Sequence, residues 1–161
     1  MKFEIKAQYP APSSVVIKMF TDKDFHTRKL EALGLRKYQV LKHDSKDAEF
    51  SIRIERKVPM APPGIISKLV PAEASVTSEE RWNKTQKTGR IKVEPAGIPV
   101  EITGTASMAD AGQECVITYV WDAKAKVPFV GGALEKFIAN DMEKKMVDET
   151  KAAVSLLAPY R

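Results

Sequence analysis

Residues 114–127 read Glu-Cys-Val-Ile-Thr-Tyr-Val-Trp-Asp-Ala-Lys-Ala-Lys-Val, and Cys115, Ile117, Tyr119, Trp121, Ala123, Ala125 and Val127 hold one alternation phase throughout. Strict period-two patterning is the signature of a strand with one buried face. At roughly 3.3 Å per residue such a strand is about 40 Å long, so it must bend to stay within a domain of ordinary size. Just beyond it the period changes. Leu134, Ile138, Met142 and Met146 recur every four residues beside Phe137, and Ala153 and Leu157 continue the stripe. Glu135, Lys136, Glu143, Lys144, Asp148 and Lys151 fill the other side. That pattern predicts an amphipathic helix of about 25 residues, roughly 37 Å long. Gly132 is placed to cap its start, and Pro159 lies just past its end.

Working back from this pair, the rest of the chain reads as strands with two helical interruptions. Lys2–Tyr9 alternates, with Phe3, Ile5, Ala7 and Tyr9 on one side. Pro10 and Pro12 stop that strand, and Ser13 or Ser14 is positioned to cap a short helix carrying Val16, Ile17 and Phe20. A second short helix is expected from about Lys23 to Leu33, closed by Gly34. Strands are then expected at Tyr38–His43, Ala48–Lys57, Ala74–Trp82, Gly89–Glu94, Val100–Met108 and Glu114–Val127, with turn residues between them. The order is strand, two helices, six strands, long helix. Strands and helices do not alternate, which argues against a doubly wound parallel sheet, and no repeat suggests a solenoid. One long helix must serve the buried face of a seven-stranded antiparallel sheet, so the sheet is expected to wrap around it.

At 161 residues and 43% hydrophobic content the chain suits one α+β domain with one core, over residues 1–161. The opening residues alternate charged and apolar side chains, so no export signal is expected, and no apolar run approaches the roughly 20 residues of a membrane span. The single cysteine, Cys115, excludes an internal disulfide framework and points to a reducing cytoplasm. The net charge of +5 suggests anionic partners, yet basic and acidic residues are interleaved. The densest basic stretch, Lys84, Lys87, Arg90 and Lys92, reads as a hairpin with a solvated face, and no nucleic-acid partner is expected.

The element order resembles the START-like, or SRPBCC, helix-grip superfamily, which includes lipid-transfer domains, the birch pollen allergen and bacterial polyketide cyclases and dehydratases. The resemblance rests also on Phe3-Glu4-Ile5 followed by Ala11-Pro12, on Ser78-Glu79-Glu80-Arg81-Trp82, and on Gly131-Gly132 ahead of the terminal helix. It is nearest to an uncharacterised bacterial branch. The resemblance implies a cavity between sheet and helix for a lipid, sterol-like or aromatic molecule. Its expected wall draws on Phe50, Ile52 and Ile54, on Val76, Ser78 and Glu80, and on Ile91, Val93 and Ile102. Ile117, Tyr119 and Trp121 complete the sheet side, and Leu134, Ile138 and Met142 face them from the helix.

Within that wall Glu80 shares the inward phase of its strand with Ala74, Val76, Ser78 and Trp82. A carboxylate there is costly unless paired, which suits it to proton transfer or to orienting a ligand hydroxyl. The plain alternatives are a bulge that turns Glu80 outward, or an arginine partner. Glu80 with Ser78 or Tyr119 would serve a cyclase-, dehydratase- or hydrolase-type enzyme, the rival to a binder. A third reading is an interaction module with a filled interior. Residues 60–70 form an apolar loop between Pro59 and Pro71. Ile65, Ile66 and Leu69 would make it a lid, a dimer contact or a transient membrane contact, or else a satellite of the core. His26 and His43 have no metal-binding spacing, so no metal or other cofactor is expected. The expected state is a monomer or homodimer.

Overall fold

The computed structural model describes residues 1–161. Seven strands form a single antiparallel sheet: β1 (Lys2–Tyr9), β2 (Tyr38–Ser45), β3 (Glu49–Pro59), β4 (Glu73–Asn83), β5 (Thr88–Pro95), β6 (Val100–Ala111) and β7 (Glu114–Ala125). Their spatial order is β1-β7-β6-β5-β4-β3-β2, so every neighbour after the first pair is also consecutive in the chain. Helices α1 (Ser13–Phe20) and α2 (Lys23–Ala32) lie between β1 and β2, and α3 (Gly131–Ser155) follows β7. This is the helix-grip α+β architecture, a curved sheet closing on one long helix.

The long alternation of β7 is realised in its burial: Cys115, Ile117, Tyr119, Trp121 and Ala123 are buried, while Val120 on the other phase is exposed. β7 pairs with β1 from Lys2 opposite Asp122 to Tyr9 opposite Cys115, and with β6 along its whole length. Two tryptophans face in because the neighbouring strand makes room. Trp121 stands opposite Gly104 and Trp82 opposite Gly89. A β-carbon on Gly104 would sit 2.4 Å from Trp121 Cε3, and one on Gly89 2.8 Å from Trp82 Cε3. Each ring thus covers a glycine on the adjacent strand.

α3 packs on β1, β7 and α2. Leu134 and Ile138 near its start, and Ala153 with Leu157 at its end, are buried; Met142 and Met146 between them are only partly so. The helix is clamped at both ends and stands off the sheet in the middle. No helix is long and apolar enough to cross a membrane.

The starts of α1 and α3 differ from the expected caps, while Gly34 closes α2 as expected. Neither Ser13 nor Ser14 caps α1, whose N-cap is Pro12. Ser13 lies within the first turn, and its backbone N–H and hydroxyl both donate to Asp110 of β6, at 2.7 Å each. Lys87 in turn donates to Ser13 Oγ at 2.8 Å, which takes it out of the solvated basic stretch. A tertiary carboxylate therefore does the capping. α2 is capped by Asp22, which accepts from the Asp24 N–H at 3.1 Å. Gly34 has φ +78°, as the end of α2 requires: its N–H bonds Glu31 O, and that of Leu35 bonds Leu30 O. Gly132 does not cap α3; Val130 does, without a side-chain bond.

Candidate functional site

Where α3 stands off the sheet, a cavity of about 310 Å³ remains between its middle turns, strands β3–β7 and the inner stripe of α2. The interior is not filled. Eleven of the expected wall residues line the cavity: Ile54, Val76, Ser78, Glu80, Ile91, Val93, Ile102, Tyr119, Trp121, Ile138 and Met142. The other four do not. Phe50, Ile52, Ile117 and Leu134 point to the same side but are wrapped in core, each 2% exposed or less. Phe50 and Ile52 sit nearer the β2–β3 turn, where His26 of α2 stacks on Phe50, and Leu134 lies near the start of α3.

The loop before β4 is largely exposed and is anchored to the core at two points. Ile66 and Val70 are buried, Ile65 is 68% exposed and Leu69 is half-buried; Ile65, Ile66 and Leu69 do not line the cavity. Pro59 and Met60 reach it instead. Lys145 of α3 donates to Pro59 O at 3.0 Å while paired with Asp141 at 2.8 Å, joining helix and loop at the cavity wall.

One end of the cavity is polar. β4 brings Glu80 inward without a bulge, opposite Ile52 and Ile91 on the flanking strands. Glu80 Oε1 accepts from Trp82 Nε1 at 3.0 Å, and Oε2 lies 3.8 Å from His26 Nδ1. His26 is 2% exposed, stacks on Phe50 with ring centres 5.7 Å apart, and holds Phe20 O with Nε2 at 2.8 Å. A carbonyl only accepts, so Nε2 carries the hydrogen and neutral His26 turns the lone pair of Nδ1 toward Glu80. Burial lowers the His26 pKa against the pull of Glu80. For Glu80 burial works to raise the pKa, but His26, Lys29, the Trp82 N–H and Arg56 together hold it below the usual carboxylate value. The pair at neutral pH is an ionised Glu80 beside a neutral His26, with two cations completing the surroundings.

Arg56 donates to Ser78 Oγ at 2.9 Å, so an arginine does enter this wall but binds the neighbour of Glu80 instead. Tyr119 and Trp121 stack with ring centres 6.0 Å apart and planes 10° from parallel. Burial raises the Tyr119 pKa well above its usual value, keeping the hydroxyl protonated. Trp121 Nε1 is the one buried side-chain nitrogen or oxygen without a hydrogen-bond partner. Cys115 is fully buried, and burial, with Asp110 nearby, pushes its thiol up to about 11. It is therefore a poor nucleophile.

His26, Lys29 and Arg56 are not among the expected wall residues, although the sequence carries a signal for two of them. His26, Leu30 and Leu33 recur at i, i+4 and i+7, and all three line the cavity. Arg56 continues the inward phase of Ile52 and Ile54. Its charge hides it among outward residues.

Residues 4–157 match the family described as "Protein of unknown function (DUF2505)". The chain belongs to the DUF2505 family. No curated protein matches it. Among solved structures it is similar to TTHA0849 from Thermus thermophilus, with 16% identity, TM-score 0.67, and 98% and 97% of the two chains covered. Ara h 8.0201 is similar at 10% identity and TM-score 0.66, over 98% of this chain and 97% of that one. Norcoclaurine synthase from Thalictrum flavum, in complex with dopamine and hydroxybenzaldehyde, aligns at 11% identity and TM-score 0.63, over 100% and 88%. At these identities the similarity establishes the START-like fold of this DUF2505 chain.

Proposed function

We propose that this protein binds and carries a compact apolar molecule, most suitably an aromatic one, in the cavity between its sheet and α3. The observation that carries the reading is the unfilled space beside α3, apolar along most of its wall and polar at one end. At about 310 Å³ the space is at the lower end of the roughly 300–1,000 Å³ of small-molecule pockets, which suits a few fused rings better than a two-chain lipid. The stacked Tyr119 and Trp121 offer flat apolar area to such rings. Met142 and Met146 supply an adaptable helix side. The norcoclaurine synthase solved with two small aromatic molecules lends support, as a protein of the same fold. The lone buried thiol is in keeping with work in a reducing cytoplasm.

Extraction tests this directly. Protein purified under native conditions is extracted with organic solvent and compared by mass spectrometry with a Val93→Trp variant, whose indole occupies the space. An apolar compound present in the wild type and absent from Val93→Trp is the expected result. Equal extracts from both proteins, or a wild type that comes out empty and takes up no aromatic probe, would sink the reading.

A further inference from the structure

The polar end of the cavity holds two acceptors that face one another without a donor between them. His26 Nε2 is committed to Phe20 O at 2.8 Å, which leaves Nδ1 with a lone pair. Glu80 Oε1 is committed to Trp82 Nε1 at 3.0 Å, which leaves Oε2. Oε2 and Nδ1 are 3.8 Å apart, too far for a hydrogen bond, and the side chains that carry them are 16% and 2% exposed. Both atoms are open to the cavity and have no protein donor, and two acceptors facing each other repel. Both residues line the cavity, so whatever fills it can supply what they lack.

We infer that the bound molecule presents a neutral group with two donor hydrogens, an amide or amino NH2 or two adjacent hydroxyls, one hydrogen to Glu80 Oε2 and one to His26 Nδ1. This rests on the carrier reading and narrows it to a ligand class. A single hydroxyl satisfies one acceptor and turns its own lone pairs on the other. Acceptors 3.8 Å apart suit either form of paired donor, because NH2 hydrogens diverge and neighbouring hydroxyls run side by side. The group is neutral because Lys29 and Arg56 already stand in the same wall and offset the carboxylate. A ligand cation would meet two like charges there.

A graded series of probes tests this: naphthalene, 2-naphthol, 2,3-dihydroxynaphthalene and 2-naphthamide, with 2-naphthylmethylammonium as the cation, titrated calorimetrically into wild type and Glu80→Gln. In the wild type the diol or the amide binds at least about tenfold more tightly than naphthalene, with 2-naphthol between, since hydrogen bonds to charged groups are worth about that much. Which of the two gains more tells oxygen from nitrogen donors. In the Glu80→Gln variant the new amide keeps its oxygen on Trp82 and, after a small rotation, donates its own NH2 to Nδ1. In Glu80→Gln the gain of the diol or the amide over naphthalene, both measured in that variant, is therefore compressed to within about threefold. A thermal melt confirms that the variant is folded. A wild type that binds naphthalene but shows no gain along the series overturns the inference and leaves the carrier reading standing. So does a cation that binds tightest, or a gain that survives in Glu80→Gln. If no probe binds the wild type, the carrier reading falls and this one with it.

Discussion

His26 is held by two opposed demands: burial favours its neutral form, and the nearby carboxylate of Glu80 favours the charged one. Burial wins, so its folded pKa lies below the ordinary value of about 6.5. The unfolded chain then takes up this proton first as the pH falls, and the native state loses stability below about 6.5 until the folded pKa is reached. Glu80 acts in the same direction at lower pH. Its folded pKa is depressed, so its contribution is present above the unfolded carboxylate value and is lost as the pH falls through the folded one. Thermal melts should therefore show the melting temperature falling steadily from pH 7 to pH 5. The His26 share of that slope is at most about 1.4 kcal/mol per pH unit. In His26→Gln, which keeps a donor for Phe20 O but does not titrate, the slope between pH 7 and 5 should flatten. A wild type with no loss over that range would show that His26 is not buried in its neutral form.

At the scale of elements, room for the tryptophans is made by glycines on the adjacent strands. Gly104→Ala drives a β-carbon to 2.4 Å from Trp121 Cε3, and backbone on both sides limits relief. Overpacking of this kind costs about 1–3 kcal/mol, which a denaturant melt reads as a lower midpoint at unchanged slope. Gly132 in the first turn of α3 is the opposite case. A β-carbon there meets nothing within 4 Å, so Gly132→Ala should stabilise by up to about 1 kcal/mol through helix propensity. The strands and α3 were legible in the sequence because alternation and the four-residue stripe carry them locally. Caps were not, where a distant group takes over: Asp110 reaches α1 from β6, nearly a hundred residues away in the chain.

At the scale of the molecule, what the sequence leaves open is where an apolar stripe meets atoms and where it meets space. Leu134 and Met142 occupy the same stripe of α3, yet Leu134 is fully buried in core and Met142 lines the cavity. Their places along the helix separate them, one at its start against the sheet and one at its middle beside the cavity. Ile52 and Ile54 differ in the same way along β3. The polar end depends still more on tertiary placement, since it joins α2 to β4 across more than fifty residues. Local pattern shows Glu80 facing inward; it does not show His26 opposite.

A carrier of this design holds one small apolar molecule between the sheet and α3. Isothermal titration calorimetry of 2-naphthol at several temperatures tests it most directly, because burial of apolar surface gives a negative heat-capacity change. Saturable binding at one molecule per chain is expected, with a negative heat-capacity change and loss of binding in a folded Val93→Trp variant. Absence of saturable heat in the wild type, or binding that Val93→Trp leaves unchanged, would contradict it.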